Sequence, residues 1–228
     1  MTDAMKDGIR RYREGKYEDA LVLFLGIPAG EAGKNLELAY HIGLCYARLE
    51  RYDDSLAYLE QVVTADTDLA RVYQCRMVLS VIYALTGRTR LAAFELNKLI
   101  EAGYESTQVF GSLGFIAYEQ GESDEAVSWY EKALSLDGAN STALNGLGFV
   151  LADTGKDLTR ALTMCRKALD AQPDNPAYLD SIGWVYYKLG LETEAKAYVR
   201  RARDKAPGNT VITDHLAEIM QFAGGGKK

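Results

Sequence analysis

The sequence predicts an all-α protein, a solenoid of stacked helical hairpins, and three regularities along its 228 residues carry that reading. Small residues recur in pairs twelve positions apart: Gly8 with Ala20, Gly43 with Ser55, Ser80 with Ala92, Gly114 with Ala126 and Gly183 with Ala195, while Gly148 reaches Ala161 after thirteen. Seven residues beyond the second member stands a compact apolar residue: Ile27, Val62, Leu99, Ala133, Ala168 and Ala202. Seven residues beyond the first stands a glycine in five of the six cases, Gly15, Gly87, Gly121, Gly155 and Gly190, with Glu50 in the sixth. Glycine adopts the left-handed conformation that ends many helices. Each stretch therefore reads as helix, tight turn, helix, and its repetition at a fixed period marks a stacked array.

Taken in order, the first repeat, 1–34, carries Gly8, Ala20 and Phe24 but places Asp7 and Arg11 at core positions, and Pro28 cuts its second helix short. This more polar repeat suits an end cap or a mobile flap. Repeat two, 36–69, runs Ala39, Ile42, Gly43, Tyr46, Ser55, Leu59, Val62. Repeat three, 73–106, keeps Leu79, Ser80, Tyr83, Ala92 and Leu96 but starts three residues late, so its first helix is expected to be extended through Ala70, Arg71 and Val72. Repeat four, 107–140, has Phe110, Leu113, Gly114, Ala126, Tyr130 and Ala133, with Ala117 where repeats two, three and six carry tyrosine. Repeat five, 141–175, reads Leu144, Leu147, Gly148, Leu151, Ala161, Cys165, Ala168, Pro173. Repeat six, 176–209, reads Leu179, Ile182, Gly183, Tyr186, Ala195, Val199, Ala202, Pro207. Residues 210–223 repeat a first helix, with Leu216 and Ala217 in the apolar and small slots and Asp214, Glu218 and Gln221 facing water, as a cap over the last hairpin. Two helices per repeat plus the cap make thirteen, and residues 224–228 read as a disordered tail.

This pattern resembles the tetratricopeptide repeat, whose 34-residue period places W-x2-L-G-x2-Y on its first helix and A-x3-F, then P, on and after its second. The resemblance covers about nine tenths of the chain and is strongest in repeats two to six. It implies a right-handed superhelix forming one domain over 1–223, and a role in binding other proteins rather than catalysis. A glycine in mid-helix costs about 1 kcal/mol relative to alanine. The helices of a hairpin approach closely only where side chains are small, and that contact is what the glycine makes possible.

Composition narrows the partners. The net charge of −6 and a pI near 5.1 argue against a phosphate-binding surface, and so against nucleic acid. Cys45, Cys75 and Cys165 are an odd, widely spaced set with no C-x-x-C pair, so they read as reduced buried thiols rather than disulfides or metal ligands. No apolar run reaches the roughly 18 residues of a membrane span. The "ALVLFLGIPAG" stretch at 20–30 imitates a signal core, but Glu18 and Asp19 interrupt its approach and the repeat already accounts for Ala20 and Phe24, so the chain reads as cytoplasmic. "GIPAGEAGK" at 26–34 lacks the glycine and the Ser or Thr of a phosphate loop, holding Pro28 and Asn35 instead. Asn140-Ser141-Thr142 reads as a turn with a helix cap. His41 and His215, the only histidines, are far apart in sequence, and no nucleophile, base or metal-ligand set converges, so neither an enzyme nor a cofactor carrier is expected.

The first helices are expected to line an inner, concave surface. Positions 2, 5, 9, 12 and 13 of each repeat face away from the core stripe at 4, 7, 8 and 11. Position 9 is Ile9, Leu44, Val81, Phe115, Phe149 and Trp184; position 12 includes Tyr12, Tyr118 and Tyr187; position 5 includes Met5, Tyr40 and Met77 before turning polar at Asn145 and Asp180. Apolar residues on an open face mark interaction surfaces. The candidate partner-binding residues are therefore Tyr12, Tyr40, Leu44, Met77, Val81, Phe115, Tyr118, Phe149, Trp184 and Tyr187. For Ile9, Leu44 and Val81, which border the next repeat's first helix, simple packing is the competing account. Some members of the family clamp acidic C-termini with lysine at 5 and asparagine at 9; Met5 and Ile9, Tyr40 and Leu44, Met77 and Val81 stand there instead. The expected partner is thus another protein's segment bearing apolar side chains, with homo-oligomerisation through the same face as the alternative. Lys196, Arg200, Arg201, Arg203 and Lys205 read as a solvated helix face.

Overall fold

The computed structural model describes residues 3–28 and 36–225, and among them are thirteen helices and no strand. They fall into two compact blocks, Met1–Tyr104 and Glu105–Lys228. The N-terminal block contains α1 (Asp3–Arg13), α2 (Tyr17–Leu25), α3 (Leu36–Arg48), α4 (Tyr52–Ala65), α5 (Leu69–Leu85) and α6 (Thr89–Glu101). The C-terminal block contains α7 (Thr107–Glu119), α8 (Ser123–Leu136), α9 (Ser141–Asp153), α10 (Leu158–Ala171), α11 (Pro176–Lys188), α12 (Glu192–Lys205) and α13 (Thr210–Gly225). Consecutive odd and even helices form hairpins, and within each block the second helix of one hairpin packs on the first helix of the next. First helices also lie side by side: α3 against α5 in one block, and α7, α9, α11 and α13 in sequence in the other. The stretch expected to imitate a phosphate loop lies partly, and residues 226–228 of the expected tail wholly, outside the described residues. The capping helix is longer than expected, ending at Gly225.

Local chemistry explains the boundaries. Asp68, Ser106, Asn140, Asp157 and Asn175 each precede a helix and accept hydrogen bonds from its first free N–H groups, and Pro176 occupies the first turn of α11, where its missing N–H has no partner to lose. The extended first helix of repeat three is present, seventeen residues long, beginning at the Asp68 cap. α2 is the shortest of the described helices, nine residues, and stops ahead of Pro28.

Every hairpin turns the same way. Gly15, Gly87, Gly121, Gly155 and Gly190 have φ between 67° and 79°, and the following N–H returns to the carbonyl five residues back, as in Leu191 N–H to Tyr186 O at 2.9 Å. Glu50 makes the same turn at φ 57°, the one described non-glycine with positive φ, and Arg51 N–H bonds Tyr46 O at 2.9 Å. A left-handed conformation strains any residue with a Cβ. Glu50→Gly is therefore expected to raise stability by about 0.5–1 kcal/mol, after the extra chain entropy of glycine is counted. A higher urea midpoint at unchanged slope would show it.

The paired small residues meet as expected, with one refinement. The glycine of the first helix receives the side chain four positions beyond its partner: Phe24 over Gly8, Leu59 over Gly43, Tyr130 over Gly114, Cys165 over Gly148 and Val199 over Gly183. These five side chains are almost completely buried. In repeat two the pair is joined directly, because Ser55 Oγ donates to Gly43 O at 2.8 Å. Tyr130 is held from two sides, since Gly146 on α9 also has no room for a Cβ beside its ring.

Candidate functional site

The inner-face positions of the C-terminal block bring their aromatic residues together. Position 9 forms a graded series: Phe115 on α7 is 50% exposed, Phe149 on α9 is half-buried, and Trp184 on α11 is 4% exposed. Tyr118 meets Phe149 edge to face at 5.5 Å, and Trp184 lies 5.1 Å from Tyr187. The gradient has a cause in α13: His215 stacks on the Trp184 indole at 4.2 Å and 21° and lies 6.0 Å from Phe149. The cap helix thus covers the end of the series, while Phe115 stays half exposed.

A carboxylate organises this cluster. Asp153, on the last turn of α9, accepts from Tyr118 O–H at 2.9 Å and from Trp184 Nε1–H at 3.0 Å, and pairs with Lys188 Nζ at 3.6 Å. Lys188 in turn lies 4.8 Å over the Trp184 ring. Burial, and next the hydrogen bond to Asp153, push the Tyr118 phenol well above its ordinary range, so it stays a donor. The Tyr187 phenol is raised by burial and by Glu218 on α13. Further up the same face, His215 Nδ1 bonds Asp180 Oδ2 at 2.8 Å.

The N-terminal block treats its candidates differently. Tyr12 is half-buried, meets Tyr17 edge to face at 5.3 Å, and accepts from Arg48 Nε at 3.4 Å. Tyr40 and Leu44, expected on the open face, are buried: Tyr40 donates to Gln74 Oε1 on α5 at 2.6 Å, and α5 alongside α3 closes over this part of the helix. Trp184 is the corresponding departure in the other block, buried because His215 covers it. Met77 is half-buried and Val81 is 48% exposed. Among the described residues, no ring contact joins Tyr12 to Tyr40.

His41 stacks on Phe24 at 5.3 Å, and its Nδ1 is buried without a partner. Burial, then the charges of Arg71 and Arg13, push its pKa down to about 4. The folded chain therefore resists a proton that the unfolded chain accepts near pH 6.5. Stability is expected to fall as pH drops from about 6.5 to about 4, and to lose nothing further from this group below that. His41→Phe should remove that component, which paired thermal melts at pH 7 and pH 5 would reveal.

Sequence reasoning missed the polar half of the cluster. Asp153 and Lys188 occupy position 13, identified as inward-facing but read for no chemistry, and consecutive repeats carry Glu119, Asp153 and Lys188 there. The basic stretch on α12 has partners within the chain: Lys196 pairs with Glu192 at 3.2 Å, Lys205 with Asp174 at 2.7 Å and Arg203 with Asp204 at 3.3 Å, Arg201 lies 5.4 Å over Tyr198, and Arg200 reaches Met220 Sδ at 3.7 Å. Among the described residues, no three His, Cys, Asp or Glu side chains are grouped to hold a metal ion, and no helix is long and apolar enough to cross a membrane.

Comparison with known proteins agrees with this architecture. Family models described as "TPR repeat" and "Tetratricopeptide repeat" match residues 114–155 and 146–210, and a further tetratricopeptide repeat model matches 36–69. A TPR repeat-containing protein of Pseudomonas aeruginosa is 40% identical over 79 residues, 35% of this chain and 13% of that protein. The match spans 13–35% of the first curated relatives' length. Among solved structures, a tetratricopeptide repeat protein from Parabacteroides merdae superposes with a TM-score of 0.71 at 15% identity, covering 95% of this chain and 83% of that one. YrrB, described as a TPR protein with an unusual peptide-binding site, gives a TM-score of 0.57 at 18% identity, covering 82% and 94%. At these identities the structural likeness is one of fold.

Proposed function

The chain is a tetratricopeptide repeat protein, and from that premise we propose that it is a docking scaffold, holding a segment of another polypeptide against the first-helix face of the Glu105–Lys228 block. The observation that carries this reading is the aromatic series itself: Phe115 stands half in solvent on α7, the helix whose Tyr118 is in edge-to-face contact with Phe149 of α9. Large apolar side chains on an otherwise polar surface mark interaction sites, and aromatic anchors dominate their energetics. Asp153 and Asp180 on the same face favour apolar and hydrogen-bond-donating groups over an acidic tail. The unusual peptide-binding site described for YrrB is consistent with such a role. A single docked segment buries modest area and loses its freedom on binding, so a micromolar affinity is expected.

The test uses Phe115→Glu, because an exposed side chain can be changed without touching the core. Partners are captured from the native cell extract on wild-type and variant protein, with circular dichroism confirming equal helicity. Loss of about nine tenths of a partner's recovery, roughly 1.4 kcal/mol in binding, is the expected result. Equal recovery of every partner would count against this face. Should the recovered partner be the chain itself, light scattering after gel filtration would show a concentration-dependent oligomer in place of a monomer.

A further inference from the structure

Docking on this face leaves one group unassigned, the second oxygen of Asp180. Asp180 is only 5% exposed; His215 holds its Oδ2, while its Oδ1 is buried with no hydrogen-bond partner. On the neighbouring first helix, Asn145 stands at the same repeat position, and its Oδ1 is also buried and unpartnered. Buried acceptors without donors are costly and rare. Asp153 next door shows no such shortage, with Tyr118, Trp184 and Lys188 all on it. The groups missing at Asp180 and Asn145 are N–H or O–H donors.

His215 shows the shape this place accepts. Its imidazole is a flat, N–H-bearing ring that lies nearly parallel over the Trp184 indole and presents its edge to the Asp180 carboxylate. A guanidinium binds in the same way, plane on an aromatic face and edge on a carboxylate. Its donors are also set in a fork that engages both carboxylate oxygens, where the imidazole reaches one. The nearest cation on this helix, Lys188, is committed to Asp153, so the Asp180 charge is left for a guest.

We propose that Asp180, Trp184 and Phe149 form a subsite for an arginine side chain of the docked segment, and that His215 of the capping helix occupies it as a stand-in which the arginine displaces. This rests on the docking reading above and names the chemistry of what docks. Lysine, a compact charge with no plane to stack, fills the place less well.

The test compares two short peptides on the unaltered full-length chain: N-acetyl-Leu-Arg-Leu amide and the same peptide with citrulline, which keeps the shape of arginine without its charge. The chain has two tryptophans, Trp129 and Trp184, so the Trp184 indole N–H resonance can be followed by nuclear magnetic resonance. The arginine peptide should shift it saturably, and citrulline should bind about tenfold more weakly, the loss expected when one charge-assisted contact becomes neutral. His215→Ala, which removes the competitor, should tighten the arginine peptide about threefold or more, and Asp180→Asn should erase the preference for arginine. Equal response to both peptides, no saturable shift, or weaker binding by a His215→Ala chain of unchanged helicity overturns the subsite. The peptide comparison needs no variant, so a folding defect in either substitution does not decide the matter. If the chain keeps a Phe115-dependent partner yet treats the two peptides alike, the subsite falls and docking stands; loss of both overturns both.

Discussion

Gly183→Leu is expected to destabilise the C-terminal block by about 3 kcal/mol, the upper end of what overpacking costs. A Cβ placed on Gly183 would stand 3.2 Å from the backbone N of Val199 and 3.3 Å from the backbone O of Ala195, and would fall within the Val199 side chain. A rotamer change can move Val199, but the two backbone atoms belong to α12 and yield only if the hairpin opens. The better helix propensity of leucine returns about 1 kcal/mol at most, so the clash wins. Gly111, on α7, supplies the control: it is also a mid-helix glycine, but an added Cβ meets nothing within 4 Å. Gly111→Ala should therefore gain about 0.5–1 kcal/mol. Urea denaturation followed by circular dichroism gives both signs in one experiment. If both substitutions moved stability in the same direction, close helix approach would not be the reason for the glycine at position 8.

That contrast shows what was legible in the sequence. The small-to-small spacing, the turn glycines and the compact residue seven positions on all report contacts inside one hairpin or between neighbours, and such contacts leave a fixed period in the chain. Glu50 was readable as a left-handed residue only because five glycines mark its place in the other repeats. The extended α5 and the short α2 were likewise legible, the first because its repeat starts three residues late and the second because a proline acts locally. The candidate site was half legible. Its aromatic residues lie on a period of one repeat, but how far each is buried depends on what stands on the next helix, and that differs at every step. Trp184 was expected on an open wall because its own repeat says so; His215, thirty-one residues on in a capping helix that reads as a generic closure, is what covers it. Tyr40 is closed over in the same manner by Gln74. Asp153 escaped notice, and Asp180 was read only as the polar end of position 5, because charges at inward positions read as solvated until their partners are seen.

Trp184→Ala is expected to cost about 3–5 kcal/mol of stability, the range for deleting a buried large aromatic. Three separate contacts go with the ring: the stack on His215 that holds α13, the Nε1–H bond to Asp153, and the face that receives Lys188. Trp184→Phe separates them. Phenylalanine keeps an aromatic plane under His215 but leaves Asp153 with only Tyr118 and Lys188, so its cost should be smaller, about 1.5–3 kcal/mol for a lost hydrogen bond to a charged group plus a small void. The two variants also predict different modes of failure. Loss of the whole ring should free α13 first, raising amide exchange over Thr210–Ile219 before the preceding hairpins respond, because the Trp184 stack is part of what holds the cap on α11 and α12. Uniform exchange throughout the C-terminal block would instead mean that the ring is a core residue like Leu179 or Ile182, with no particular hold on the cap. Because Trp184 supports the fold and also floors the proposed arginine subsite, a loss of binding in Trp184→Ala could not separate the two roles. The exposed Phe115 tests docking and the conservative Asp180→Asn tests the arginine subsite, each without removing the Trp184 ring.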